Sequence, residues 1–398
     1  MPARATVMLR GGGARRSDRL LVALFALLLA APGLLQLLGM AQSGPEVEQR
    51  QLSRPPSRDS WSRGWRRLAG ELDAYLTDHM GLRPQLLEAV AEARRLLGAP
   101  ASPMVIAGRE GWLFIDNEHS IEQHAGRRPL APEVLRQQVG VIRRLHAWLA
   151  ARGIGFVFVI APDKETIYPE FLPPGLHLSG PTPADQLLAA LAAHREIPVV
   201  DLRPVLRAAK PLGRLYLMSD SHWTSLGGFV GLQAVLQRAG RNLPPLSLYG
   251  IETARGGPGG DLARMARWPA PRDEAWVLPV RRFPNPVLAS RTVSTAPLEM
   301  VVETRLRGGG RILVLSDSFG VVWLPYLADI AERAVWRFDH RNLDLPWIEA
   351  EKPDLVIVEL LERFVPAWPG PEARVWGQGW AAEHAAAAPF SGGSAASR

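Results

Sequence analysis

The chain has 398 residues, of which 47% are hydrophobic and 21% charged, a balance typical of a globular protein rather than of a disordered or fibrous one. Its net charge of +7 comes from arginines spread along the sequence. No basic stripe is interleaved with aromatic residues, so we predict no nucleic-acid partner. The absence of cysteine excludes disulfides, thiolate nucleophiles and cysteine-ligated metals, and the nine histidines include no metal-binding pair. We therefore predict no metal and no cofactor.

The first forty residues have the pattern of a membrane anchor. An apolar run at residues 20–40 follows a cluster of arginines and reaches the ~20 residues that cross a bilayer. The positive-inside rule then places the following chain outside the cytoplasm. We predict a single-pass anchor in a bacterial inner membrane with the rest of the protein in the periplasm, and a cleaved signal is the alternative.

Four segments are predicted along the chain. Residues 1–41 would form the basic cytoplasmic flank and the anchor, and residues 42–100 a polar tether followed by a helical neck with a break at Gly81. Residues 101–380 would form the main globular domain. The Ala, Gly and Ser-rich residues 381–398 are typical of a disordered tail.

The segment at residues 101–380 alternates short apolar runs with helical patterns. Strands are predicted at residues 108–115, 154–160, 197–202, 312–315, 335–338 and 355–360. Helices are predicted to begin at Pro132, Thr182 and Thr224, and further helices at residues 322–333 and 347–350. This rhythm indicates an α/β fold with a mostly parallel central sheet that is covered on both faces.

Two short segments have residues suited to acyl-transfer chemistry. Ser318 follows the strand at residues 312–315, at the sheet edge where ligands gather and where a helix N-terminus stabilises an oxyanion. Asp220 and His222 project to the same side of an extended segment, so the carboxylate can orient the imidazole as a base. The alternatives are a helix-capping serine and a structural Asp–His hydrogen bond.

Six motifs together resemble one family. They are GREGWLF (108–114), APDKETIYPEFLP (161–173), SDSHWT (219–224), GDLA (260–263), VLSDSF (314–319) and KPDLVIVELLER (352–363). The chain resembles the alginate O-acetylation proteins of the AlgJ and AlgX type, and it is closer to AlgJ because too little sequence follows Arg363 for a carbohydrate-binding module. The resemblance implies an SGNH-hydrolase-like three-layer sandwich. It also implies a circularly permuted catalytic triad of Asp220, His222 and Ser318. One departure is Ser316, where the family usually has Gly.

The resemblance also implies a function. The protein would transfer acetyl groups to hydroxyls of an exopolysaccharide in the periplasm through an acetyl-Ser318 intermediate, with a membrane-bound O-acyltransferase as the partner that supplies the acetyl group. A carbohydrate acetylesterase and a non-catalytic scaffold of a secretion complex are the alternatives. Further substrate contacts are predicted at Tyr216, Trp223, Lys164 and Arg363, for each of which a structural role is the competing interpretation.

A different triad is conceivable for an α/β-hydrolase, in which the acid and the histidine follow the serine. Ser318 would then recruit Asp354 and either His340 or His384. That fold requires Gly-x-Ser-x-Gly, and this chain has Ser316 at the first glycine position. The sequence therefore favours Asp220 and His222.

Overall fold

The computed structural model divides the chain into two compact units, Met1–Ala101 and Ser102–Arg398. The described residues are 16–37, 53–57, 64–79, 83–97, 99–100, 102–176, 180–255, 260–268, 274–282, 287–295 and 297–370. The predicted tail at residues 381–398 and most of the predicted tether lie outside them.

The described part of the first unit is helical. Its helices are α1 (Arg16–Leu37), α2 (Trp65–Asp78) and α3 (Arg83–Leu96). The buried Asp78 carboxylate accepts hydrogen bonds from the Ser53 amide, at 2.8 Å, and the Ser53 hydroxyl, at 2.7 Å. This pair ties the segment at residues 53–57 to the end of α2. Gly81, where a break was predicted, lies outside the described residues.

The predicted transmembrane anchor at residues 20–40, and with it the inner-membrane location, is wrong for this structure. Among the described residues, no helix combines the length and the apolar character that a membrane crossing needs. The helix that forms in this region, α1, has Arg16, Asp18 and Arg19 in its first turn. Residues 38–40 of the predicted span lie outside the described residues.

The second unit combines strands with helices. Its described strands are β1 (Val105–Ala107), β2 (Leu113–Ile115), β3 (Gly155–Ala161), β4 (Val199–Asp201), β5 (Tyr249–Arg255), β6 (Ala275–Arg281), β7 (Val287–Thr295), β8 (Leu298–Thr304), β9 (Arg311–Ser316), β10 (Arg333–Phe338) and β11 (Leu355–Leu361). Its described α-helices are α4 (Ser120–His124), α5 (Pro132–Ala150), α6 (Lys164–Ile167), α7 (Pro183–Leu191), α8 (Arg203–Ala209), α9 (Ser225–Arg238), α10 (Asp261–Ala266), α11 (Leu324–Leu327) and α12 (Leu345–Glu351). Short 3-10 helices occupy Arg109–Gly111, Pro169–Phe171, Lys210–Leu212, Leu246–Leu248, Gly320–Trp323 and Glu362–Ala367.

A seven-stranded mixed sheet forms the centre, in the order β4-β3-β11-β9-β10-β8-β7. The five strands from β4 to β10 are parallel, and β8 and β7 extend the sheet as antiparallel strands. The prediction of a mostly parallel sheet holds for the first five. The antiparallel edge was not predicted.

Both faces of the parallel part of the sheet are covered, as expected for its β-branched strands. Along β3, Val157 and Val159 pack in one hydrophobic core with residues of α8, α9 and α11. Phe156 and Phe158 pack in the other core with residues of α5, α7 and α12. Successive side chains of a strand point to opposite faces, so one strand serves both cores. The result is three layers, with helices on each side of the sheet.

The helix predicted at residues 322–333 is shorter than expected. The chain forms the 3-10 helix Gly320–Trp323 and then α11, which ends at Leu327. Pro325 lies in the first turn of α11, and a proline cannot donate a backbone hydrogen bond to a preceding turn. A continuous helix through this position is therefore disfavoured.

Candidate active site

A tight antiparallel turn holds Asp220 and His222 together. Tyr216 pairs with Trp223 across the turn, and the Leu217 amide donates to the His222 carbonyl at 3.3 Å. The His222 amide also donates to the Asp220 carboxylate at 3.0 Å. Backbone pairing and this local hydrogen bond therefore fix the geometry of the Asp-x-His segment just before α9.

Ser318 approaches this turn from the end of β9. Its Oγ lies 2.8 Å from Nε2 of His222, and Nδ1 of His222 lies 2.7 Å from Oδ1 of Asp220. All three residues are half-buried. The structure thus brings the three residues that the sequence predicted into one chain of hydrogen bonds.

The electrostatics of the pair favour an ionised carboxylate beside a basic imidazole. Burial raises the pKa of the Asp220 carboxyl, but the hydrogen bond and charge of His222 outweigh burial and hold that pKa below its ordinary value. Burial likewise lowers the pKa of the His222 imidazole, and the hydrogen bond and charge of Asp220, helped by Asp261, raise it above its ordinary value. An imidazole held this way can take a proton from a serine hydroxyl and carry positive charge afterwards.

The loop that carries Ser318 is anchored by its neighbours. The buried Asp317 carboxylate accepts the amides of Phe319, at 2.9 Å, and Leu361, at 3.0 Å, so it joins this loop to the end of β11. The Ser316 hydroxyl accepts the indole N–H of Trp336 at 2.6 Å. A Cβ added at Gly320 would collide with the Ser316 side chain. The serine at 316 therefore fits here because residue 320 is a glycine.

The four weaker candidates are all buried, at 0–6% exposure. The Tyr216 hydroxyl donates to the Pro162 carbonyl at 2.5 Å, and the Trp223 indole donates to the Phe319 carbonyl at 3.1 Å. Arg363 pairs with Asp163. Contact of these side chains with a sugar stays a prediction, and their burial favours a structural contribution.

Lys164, the fourth of these candidates, lies directly beneath the Asp220 turn. Its ammonium nitrogen is 3.0 Å from the carbonyl oxygen of Leu217, 3.2 Å from that of Met218 and 2.7 Å from that of Asp220. The side chain therefore contacts protein backbone where the sequence had suggested a substrate contact.

Two acidic residues that the sequence did not assign also hold this turn. The Asp261 amide donates to Oδ2 of Asp220 at 2.9 Å, and its carboxylate accepts the amide and hydroxyl of Ser221 at 2.7 and 2.5 Å. The Glu274 carboxylate accepts the amides of Met218 and Ser219. Asp261 lies in the GDLA motif, which was a signal for it, whereas nothing around Glu274 marks it in the sequence.

Asp220, His222 and Asp261 are also the described residues whose side chains could hold a metal ion, since one ligand atom from each lies within 4.8 Å of the others. A metal on Nδ1 of His222 would have to replace the proton that faces Asp220 at 2.7 Å. The hydrogen-bonded arrangement therefore fits a serine triad directly, and a metal would compete with it.

The alternative triad is not assembled among the described residues. Asp354 precedes β11 and accepts the Arg311 amide at 2.6 Å, at the start of β9. Ser318 follows the carboxyl end of β9, whereas Asp354 lies near the amino ends of β9 and β11. The two residues are therefore at opposite ends of the parallel strands. Neither ring nitrogen of the buried His340 meets a hydrogen-bond partner in the described part of the chain. His384 lies outside the described residues.

A three-layer α/β fold with a serine hydrogen-bonded to an Asp-x-His segment is the arrangement of an SGNH hydrolase-like domain. Residues 105–279 match the family model described as "SGNH hydrolase-like domain, acetyltransferase AlgX". Residues 105–279 are thus similar to an SGNH hydrolase-like domain of the AlgX type, and the resemblance drawn from the motifs is confirmed. The matched range contains Asp220 and His222 and ends before Ser318.

Curated relatives point to the same family. The chain is 31% identical to a probable alginate O-acetylase AlgJ of Pseudomonas putida over 146 residues, which are 35% of this chain and 34% of the relative. It is 32% identical to the Pseudomonas aeruginosa protein of the same name over 37% of this chain and 35% of the relative. The chain spans about a third of the length of these relatives.

Solved structures are similar over a larger share of the chain. The O-acetyltransferase domain of Pseudomonas putida AlgJ is 20% identical with a TM-score of 0.43, over 71% of this chain and 100% of that one. Bacillus cereus PatB1 is 16% identical with a TM-score of 0.49, over 68% and 98% of the two chains.

Proposed function

We propose that this protein is a serine O-acetyltransferase that acetylates hydroxyl groups of a polysaccharide, as the names of its AlgJ relatives suggest for alginate. The observation that carries the proposal is the unbroken chain of hydrogen bonds from Ser318 through His222 to Asp220. In this reading the triad is circularly permuted, because the Asp–His pair precedes the serine in the sequence.

The reaction has two halves. Oγ of Ser318 attacks the acetyl carbonyl of a donor while Nε2 of His222 takes its proton, and the leaving group departs with that proton, which leaves acetyl-Ser318. A sugar hydroxyl then attacks the acetyl carbon. His222 removes the hydroxyl proton and returns it to Ser318 as the ester bond breaks. Asp220 keeps the imidazole in the tautomer that faces Ser318 and stabilises its positive charge.

Donor and acceptor are assigned by class. The donor is an acetyl ester or acyl carrier that reaches the site from a separate acyltransferase, and the acceptor is an exopolysaccharide chain. Water in place of the sugar hydroxyl would turn the same intermediate into an esterase reaction, so the outcome depends on how the site positions sugar and excludes water.

The direct test replaces Ser318→Ala, with Ser290→Ala on the exposed side of β7 as the matched control. The full chain is incubated with 4-nitrophenyl acetate and alginate oligosaccharides, and acetylated sugar, free acetate and the acetyl adduct on Ser318 are measured by mass spectrometry. We expect Ser318→Ala to lose about 10⁴-fold or more of its turnover, with a cost of only roughly 1 kcal/mol in stability for one lost hydroxyl.

Three results would contradict the proposal. Turnover of Ser318→Ala near that of the unchanged protein would exclude covalent catalysis through this residue. Release of acetate at a rate that acceptor sugar does not alter, with no acetylated sugar, would make the protein an esterase. Failure of a serine-directed covalent probe to label the folded protein would favour the scaffold alternative.

A further inference from the structure

Lys164 has an unusual setting for a charged side chain. It is 2% exposed and begins α6, the helix that follows strand β3. An ammonium has three donors, and here the three acceptors are backbone carbonyl oxygens of residues 217, 218 and 220 at 2.7–3.2 Å. The carbonyl groups of one turn therefore share a single buried cation.

The surroundings of this cation fit a charged form. The ammonium nitrogen lies 5.8 Å from the ring centre of Trp112 and 5.4 Å from that of Phe114, within the range of cation–π attraction. Burial lowers the pKa of Lys164 to about 8, and the charges of Asp261, Glu165, Asp220 and Glu274 oppose that decrease. The four acids belong to four different segments of the chain.

Side chains bind both the carbonyl oxygens and the amide groups of this turn. Lys164 binds its carbonyl oxygens, while the Glu274 carboxylate binds the amides of residues 218 and 219. A cation on the carbonyl side and an anion on the amide side stabilise the same orientation of these peptide groups. The residue at the end of this turn is Asp220, whose carboxylate orients His222.

We propose that Lys164 is a positioning residue of the acyl-transfer site, whose ammonium holds the carbonyl oxygens of the turn so that Asp220 meets His222. The inference rests on the proposed function for its kinetic consequence and on the hydrogen bonds alone for its structural consequence. In this role Lys164 binds the backbone of the turn and contacts neither the acetyl group nor the sugar. Its loss therefore acts on the turnover number and leaves substrate affinity unchanged.

The test replaces Lys164→Met, which keeps the length of the side chain and removes its donors. Lys352→Met is the matched control, since Lys352 precedes the amino end of β11, and the candidate site lies at the carboxyl ends of the parallel strands. We expect kcat to fall about 100-fold in Lys164→Met, the loss that a displacement of roughly 1 Å in a reacting geometry produces, with KM within about twofold. Lys352→Met should keep both constants.

A pH profile separates positioning by the ammonium from simple support of the fold. In the unchanged protein, kcat should decline as pH rises through about 8, where Lys164 loses its proton, and this decline should be absent in Lys164→Arg, whose guanidinium stays charged. A decline of equal size and midpoint in Lys164→Arg would overturn the proposal, as would an unchanged kcat in folded Lys164→Met.

A spectroscopic measurement needs no substrate. Proton NMR of the unchanged protein should show the downfield Nδ1–H resonance of His222 bonded to Asp220, assigned by its absence in His222→Ala. We expect it in Lys352→Met and in Lys164→Arg, which keeps a cation beneath the turn, and expect it shifted or lost in Lys164→Met. An unchanged resonance in folded Lys164→Met would refute the positioning role, whether or not Ser318 is needed for activity. A lost resonance in Lys164→Met together with a dispensable Ser318 would refute only the proposed function.

Discussion

Two histidines of the second unit, His222 and His340, follow an aspartate within two residues in the sequence, and their side chains have opposite surroundings in the structure. His222 follows Asp220 by two residues and binds it at 2.7 Å, which raises the pKa of its imidazole. His340 follows Asp339 directly, yet it is buried against Phe364. Burial and the charge of Arg341 lower its pKa to about 4. An adjacent aspartate orients an imidazole only where the backbone turns both side chains to the same side.

The strongest test of this contrast removes the partnered histidine. We expect His222→Ala to abolish acetyl transfer and Asp220→Asn to reduce it by up to ~10⁴-fold, because the imidazole loses both its orientation and its countercharge. His340→Ala should retain activity. Turnover is measured in the assay with acetyl ester and oligosaccharide. Activity that depends on His340 and survives the loss of His222 would assign the active site to His340 and contradict the proposed triad.

His222 and His340 should contribute differently to the pH dependence of stability. His340 has a pKa of about 4 in the folded protein against an ordinary 6.5, so the unfolded chain binds more protons between these values and stability falls as pH decreases through them. His222 has a raised pKa. Its contribution is therefore present below pH ~6.5 and is lost as pH rises through its folded pKa.

The variant His340→Phe removes the contribution of His340 to this pH dependence, since it keeps an aromatic ring against Phe364 but cannot bind a proton. The free energy of unfolding, measured with urea, should decrease between pH 7 and pH 4.5. The decrease should be smaller in the variant than in the unchanged protein by roughly 2–3 kcal/mol. Equal losses in the two proteins would show that His340 does not resist protonation in the fold.

A smaller effect is expected at Ser316, which lies between the two regions. Its hydroxyl accepts the Trp336 indole, and its carbonyl accepts the Asp339 amide at 3.2 Å, next to His340. Ser316→Ala would leave a buried indole N–H without its acceptor, which costs about 1–2 kcal/mol, while transfer activity stays within severalfold. Urea unfolding is the measurement, with Ser290→Ala as the control. Identical midpoints in both variants would contradict this role.

Much of the fold could be predicted where the sequence is apolar and continuous. The runs that became β3, β9 and β11 are buried on both faces and stood out as β-branched stretches. β7 is largely exposed and rich in Ser, Thr and Arg, so its pattern gave no comparable signal. β8, with buried Val301 and Val302, has a stronger β-branched pattern that the sequence analysis did not use.

The residues of the candidate site also differ in how well local sequence patterns predict them. Asp220 and His222 are two residues apart, and Ser318 follows a clear strand, so local rules were enough to select them. Lys164 and Glu274 bind the same turn from 56 residues away in the sequence on either side. Such distant contacts depend on how the sheet is assembled. Short-range patterns therefore identified the reacting groups, whereas they suggested a substrate contact for Lys164 and gave no signal for Glu274.

The position of β11 has a consequence for when activity can appear during synthesis. β11 lies between β3 and β9, although it is the last of the seven strands to leave the ribosome. Until it emerges, β3 with α6 and Lys164 has no strand linking it to β9 and Ser318, and pairing of such distant segments is slow. We expect nascent chains that end before residue 355 to lack an assembled Ser318–His222 pair, so acyl-transfer chemistry would begin only after β11 has been synthesised.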